Sequence, residues 1–172
     1  NGKFDRDDHN SPVFYARPDG SLLAVYARHG RDNLHRYRIS DTDDFLKWDE
    51  EKTFKHTYAT TYMNLHPMKT EGRLYNCYRG FKWNPSFMTS TDHGKTWGGT
   101  THFIASEEKG RHRPYASYAG NDRDTVHVSF TDGHPRNFGN SIYYAAFRDG
   151  KFYRANGEQI KDIKRDGPLR PS

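Results

Sequence analysis

Apolar positions along the chain fall in short alternating runs, broken every few residues by Gly, Pro, Asn or Asp. That is the period-two pattern of half-buried strands bounded by turns. No stretch carries a helical period. Three of the runs align with one another. Residues 72–81 (GRLYNCYRGF) have an earlier copy in residues 21–30 (SLLAVYARHG) and a later one in residues 124–133 (DTVHVSFTDG). Tyr26, Tyr78 and Phe130 then fall in register at a constant interval of 52 residues. A fixed period of this size marks a repeat architecture, in which each unit buries its apolar face on the next.

Each repeat reads as a four-stranded antiparallel meander. The first has strands at 12–16, 22–27 and 34–39, with a fourth around Trp48. Its first turn, Arg17-Pro18-Asp19-Gly20, is a turn for a physical reason: Pro sets φ and Gly accepts positive φ. The second repeat has strands at 63–68, 73–79, 86–90 and 100–104, and the third at 114–119, 125–131, 141–147 and 151–154. The pattern predicts an all-β fold, a β-propeller of four-stranded antiparallel blades. About three blades are present, at roughly 8–55, 56–110 and 111–160. The polar residues from Ala155 onward read as a connector, with a tail at 161–172. Propellers close with four to eight blades, so a partial ring is expected, completed by further blades or by other copies of the chain. An ordinary β-sandwich fits a strict period less well.

Composition sharpens this picture in two places. Only 33% of the 172 residues are hydrophobic while 15% are aromatic, and mean hydropathy is −1.13. That suits thin sheets stacked on large rings. The balance of 27 Lys and Arg against 22 Asp and Glu, a net +5, favours an anionic partner. No apolar run approaches membrane-spanning length, and the lone Cys77 rules out an internal disulfide. Neither nucleic acid nor a membrane is the expected partner.

Residues 90–97 (STDHGKTW) match the S-x-D-x-G-x-T-W pattern of an Asp-box, a structural turn to which no catalytic weight attaches. It lies between strands three and four, on the face opposite the loops that carry chemistry. In an antiparallel blade the start of strand one and the end of strand two share an edge, and strand one is innermost. That edge collects His9, Asn10 and His29 from the first repeat, and Tyr62 and Arg79 from the second. The third supplies Arg113, Tyr115, His134 and Arg136. Convergent titratable groups on one concave rim are the default site. Taken singly, each His is an ordinary loop residue and Arg79 an ion-pair partner between blades; the set carries the functional reading. Tyr26, Tyr75 and Tyr78 read as packing aromatics, and His127, inside a strand, as structural. Asp41, Asp43 and Asp44 do not have EF-hand spacing and read as a solvated loop. His9 and His29 lack the cluster that would argue strongly for zinc.

Several of these stretches together resemble the BNR-4 type propeller family, which includes ulvan lyases built on seven-bladed propellers. They are Asp7-Asp8-His9-Asn10-Ser11-Pro12, Tyr26-Ala27-Arg28-His29-Gly30, residues 74–80 (LYNCYRG), Arg113-Pro114-Tyr115 and residues 130–136 (FTDGHPR). The resemblance covers Asp7 to about Ile160 and implies a site of two His, a Tyr and an Arg. These fall on His9, His29, Tyr62 and Arg79, with Tyr115 helping to hold the sugar. It also implies a secreted or periplasmic carbohydrate-active enzyme.

The residue types suit β-elimination on a uronate. The C5 proton becomes removable when the carboxylate charge is neutralised, which Arg79 can do through two parallel hydrogen bonds. Tyr62 and His9 are suitable as base and acid in either order, with a nearby cation expected to lower the tyrosine pKa. The scheme requires no metal, and whether a structural metal is bound is left open. The primary expectation is a polysaccharide lyase acting on an acidic, sulfated polymer. The alternatives are a sialidase-like hydrolase, for which a partner carboxylate is lacking, and a non-catalytic carbohydrate-binding propeller.

Overall fold

The computed structural model describes residues 4, 6–106, 113–137 and 139–171. Three antiparallel sheets follow one another along the chain. The first is β1 (Val13–Ala16), β2 (Leu22–Tyr26), β3 (Leu34–Ile39) and β4 (Lys52–Lys55). The second is β5 (Thr61–Met68), β6 (Arg73–Arg79), β7 (Pro85–Ser90) and β8 (Thr101–His102). The third is β9 (Ala116–Gly120), β10 (Val126–Thr131), β11 (Ile142–Arg148), β12 (Lys151–Tyr153) and β13 (Gln159–Asp162). Each is a simple meander, so neighbours in sequence are neighbours in the sheet, and the all-β chain is consistent with part of a β-propeller.

The middle sheet explains the stacking. From Leu74 to Arg79 every residue of β6 is buried, because both faces are covered, and alternation sends successive side chains to opposite neighbours. Leu74 and Tyr78 join Leu23, Val25 and Tyr37 of the first sheet in one apolar cluster. Tyr75 and Cys77 join Val126, Val128 and Phe147 of the third in another. Tyr75 and Tyr78 are therefore packing aromatics, as the sequence pattern predicts. Tyr26 is half-buried instead and donates its hydroxyl to Glu51 (2.7 Å).

The Ser90–Trp97 turn bolts the second sheet to the first. Asp92 accepts from the Ser90 hydroxyl (2.7 Å), from Thr96 N (2.9 Å) and from the Thr96 hydroxyl (2.6 Å). Trp97 packs on His35 of β3, with ring centroids 4.9 Å apart. Gly94 is required here: its φ is +86°, and a Cβ would meet Leu23 Cδ2 at 2.3 Å.

Two expectations are corrected. The fourth strand of the first blade is not around Trp48, which makes only an isolated bridge to Ser40. Arg38 draws the carbonyls of Trp48 (3.1 Å) and Asp49 (2.6 Å) onto its guanidinium, and pairing resumes at β4. The strand was missed because its KTFK sequence lies mostly exposed at the outer edge and has little apolar signal. The residues after Ala155 are not a loose connector. They supply β13 as a fifth strand and one helical turn, α1 (Ile163–Asp166), capped by the Asp162 carboxylate. Ile163 and Leu169 are buried in the cluster between the second and third sheets, and Leu169 bridges Ile104.

Candidate functional site

The rim is built at the edge where β1 and β5 begin and β2 and β6 end. Asp7 caps a 3-10 turn (Asp8–Asn10), accepting from the backbone N–H of His9 (3.0 Å). The same carboxylate takes the Nδ1–H of His9 on Oδ1 and that of His29 on Oδ2 (2.8 Å). The two imidazoles stack with centroids 4.0 Å apart. These hydrogen bonds, the His9 N–H first, hold the Asp7 carboxyl well below the usual carboxylate range. With Nδ1–H of each ring committed to Asp7, Nε2 carries the lone pair. Asn10 does not line the cavity described next. Its amide oxygen accepts from His29 N (2.7 Å), so it positions that loop.

Tyr62 sits at a bulge in β5, where the register to β6 shifts between Thr61 and Asn64. Its φ is +60°, costly for a side-chain-bearing residue, and the Asn64 amide ties down its carbonyl (2.7 Å). Such bulges re-aim side chains beside sites. Here the ring turns onto the His pair, 5.2 Å from His9 and 5.9 Å from His29 between centroids. Burial raises the Tyr62 pKa, and this outweighs the lowering by Arg79. The expected depression is thus corrected: the phenol has lost more hydration than the guanidinium restores.

Arg79, the last residue of β6, is 6% exposed. Its guanidinium carbon lies 4.7 Å from the Tyr62 ring centroid and 5.0 Å from that of Trp83. One Nη1–H goes to the Tyr115 hydroxyl (3.1 Å). Burial lowers its pKa, although an arginine stays protonated. Among the described residues no carboxylate pairs with Arg79, and its Nε–H is buried without a partner. The interblade ion pair that would make Arg79 purely structural is absent from them. Tyr115 packs edge-on against His134 at 4.7 Å. Burial lowers the His134 pKa, with Arg113, Arg136 and Arg79 adding to the effect. Arg136 itself is exposed and meets His134 through its backbone N–H (3.1 Å). Arg113 stands 5.6 Å from the Trp83 ring.

His9, Tyr62, Arg79 and Tyr115 line one cavity of about 400 Å³ between the second and third sheets, closed by Asn64 and Tyr118. Among the described residues no Asp or Glu lines it. Two participants escaped the sequence reading. Asp7 stood in the quoted DDHN motif, and an acid two residues before a His was the available signal. Trp83 follows Arg79 by four residues in a turn with positive φ at Lys82 and Trp83, and no period marks it. The ligand atoms of Asp7, His9 and His29 lie within 4.8 Å of one another, a donor set that could also hold a divalent transition metal.

Stacked four- and five-stranded antiparallel meanders with a cationic, aromatic-walled rim are consistent with part of a β-propeller that carries a candidate site at the blade edge. The BNR repeat-containing family matches residues 1–172, and the chain belongs to that family. Among curated proteins, none matches. Two solved structures of a polysaccharide lyase, PL25 ulvan lyase, are similar. One, bound to an oligosaccharide of glucuronic acid and 3-sulfated rhamnose, has a TM-score of 0.71 at 18% identity over 99% of this chain and 44% of that one. The other has a TM-score of 0.67 at 17% identity, over 94% of this chain and 44% of that one. The catalytic domain of the Coprinopsis cinerea GH62 alpha-L-arabinofuranosidase follows, with a TM-score of 0.54, 14% identity, and coverage of 91% and 52%. At these identities the likeness is one of fold. The chain spans less than half the length of the ulvan lyase structures.

Proposed function

We propose that the protein is a polysaccharide lyase that cleaves an acidic, sulfated, uronate-containing polymer by β-elimination. The observation that carries this reading is Arg79: a buried guanidinium with no carboxylate partner among the described residues, walled by Tyr62 and Tyr115 beside the His pair. Such a group calls for a planar anion of the ligand. Arg79 binds the uronate carboxylate and stabilises the charge that develops as C5 loses its proton. His9, with Nδ1–H held by Asp7, takes that proton on Nε2. Tyr62, kept protonated by burial, gives its proton to the glycosidic oxygen. The C5–H and C4–O bonds break, the C4–C5 double bond forms, and proton exchange with water resets His9 and Tyr62. His29 shares Asp7 and backs the His9 ring. Tyr115, Arg113, His134 and Arg136 extend the cationic rim to the sulfated chain, and Asn10 supports it from behind.

A standard glycosidase would need two carboxylates across the scissile bond, and among the described residues the cavity offers none. The seven-bladed ring, the secreted or periplasmic setting and the polymer belong to the same proposal. Phe14, 57% exposed, and Ile142, 81% exposed, on the outer sheets would pack on further blades or on other copies. The test is to incubate the intact protein with ulvan, heparin, alginate and a sialylated glycan, following ultraviolet absorbance and reducing ends together. Rising absorbance with ulvan is expected. New reducing ends without absorbance would make the protein a hydrolase, and retention on immobilised polymer without either change would make it a binding module.

A further inference from the structure

A second cavity, of about 410 Å³, lies on the opposite flank of the β6 end, between the first and second sheets. It is as large as the first and within the size range of ligand pockets. Tyr78 lines both. The next residue, Arg79, lines the first cavity, and Gly80 and Phe81 line the second. Consecutive Cα atoms are only about 3.8 Å apart, so the two cavities are neighbours on one rim. Nothing in the elimination scheme uses the second.

Its walls are aromatic. Phe81 meets Tyr58 edge-on at 4.9 Å and lies over the His102 ring at 4.6 Å. Its floor is polar, with Tyr78 and His56 buried and Thr100 exposed. Tyr78 Oη and Thr100 Oγ1 are 2.7 Å apart, and His56 Nδ1 is 3.0 Å from the same Thr100 oxygen. His56 is 6% exposed and leaves Nε2 with no partner among the described residues. Lys55, exposed, stands on the wall, and among the described residues no Asp or Glu lines the cavity. Apolar rings beside a few convergent polar groups and one cation match a sugar residue, which has a C–H face, a hydroxyl edge and, in this polymer class, an anionic substituent.

We infer that this cavity is a second saccharide subsite. It takes an unreacting sugar of the same chain, with its C–H face on Phe81, a hydroxyl on the His56–Thr100 floor and an anionic substituent toward Lys55. The inference rests on reading the first cavity as a polysaccharide site. Binding energy gathered here holds the scissile bond over Tyr62 and His9.

The experiment uses the intact protein with Phe81→Ala, Phe81→Tyr and Lys55→Gln. Substrates are polymeric ulvan and the shortest ulvan oligosaccharide that is cleaved. Phe81→Ala should raise KM on the polymer about ten-fold, the loss of roughly one stacking contact. It should leave kcat within about two-fold and leave the short oligosaccharide unaffected. Phe81→Tyr should restore KM, and Lys55→Gln, at an exposed position, should raise it with a weaker salt dependence. Unchanged KM in Phe81→Ala and Lys55→Gln would overturn the subsite. So would a fall in kcat on both substrates, which would mean that Phe81 merely supports Arg79. If the wild type yields no unsaturated product, elimination fails but the subsite is still read by calorimetry with an ulvan tetrasaccharide. Weaker binding by Phe81→Ala and Lys55→Gln sustains it, and equal binding, or none by the wild type, overturns it.

Discussion

Asp7→Asn is the perturbation that most directly tests how the rim works. The Asp7 carboxylate serves both rings, Oδ1 for His9 and Oδ2 for His29. An asparagine keeps the shape but offers one oxygen and one NH2 group. The oxygen can still accept from one Nδ1–H. The NH2 can be satisfied only by a lone pair on the other Nδ1, which moves that ring's proton to Nε2 and removes it as a base. The backbone N–H of His9 competes for the same oxygen (3.0 Å), so His9 is the ring most exposed to the wrong tautomer. Where a carboxylate that orients a catalytic imidazole is amidated, the tautomer error costs up to about 10⁴ in kcat. With two rings sharing the error, a loss of roughly 10²- to 10⁴-fold is expected here. KM should hold within about three-fold, because Arg79 and not Asp7 meets the carboxylate. The assay is steady-state absorbance on ulvan, paired with nitrogen NMR of the imidazoles to read the tautomers. A variant with wild-type kcat, or one whose KM rises while kcat holds, would refute the argument that Asp7 sets the base.

Arg79→Ala should abolish turnover and Arg79→Lys should rescue it poorly, since a point charge lacks the planar fork; full activity in the alanine variant would remove Arg79 from the reaction. Because burial raises the Tyr62 pKa, the alkaline limb of kcat should lie above the ordinary tyrosine value of about 10. A tyrosine-dependent limb well below it would show the phenol ionising as the base. His56 is held neutral by burial, which pulls its pKa down to about 4. The unfolded chain, with an ordinary value of about 6.5, then binds the extra proton first. Stability should therefore be intact above pH 6.5 and decline as pH falls toward 4, by up to about 3 kcal/mol for this group. A His56→Gln variant that declines as steeply in thermal melts would locate the acid sensitivity elsewhere. Dialysis against a chelator should leave activity unchanged, since no step is routed through a metal; loss restored by zinc would make Asp7, His9 and His29 its ligands.

The sequence alone determined what is local or periodic. Alternation, Pro-Asp-Gly turn chemistry and the 52-residue interval specified strands, meanders and the stacking of blades, because each depends on φ, ψ and side-chain direction within a few residues. The interval also placed His9, His29, Tyr62, Arg79 and Tyr115 at equivalent blade edges. Tertiary packing decided whatever depends on neighbours distant in the chain. The KTFK strand and the Leu169 anchor carry too little apolar pattern to read, and only pairing and burial identify them. Asp7 became the shared acceptor of two imidazoles because folding brings its turn to His29, 22 residues away. The direction of the Tyr62 pKa shift depended on weighing burial against the Arg79 charge. Lost hydration is a property of the whole surrounding shell, assembled from three sheets, and no stretch of sequence contains it.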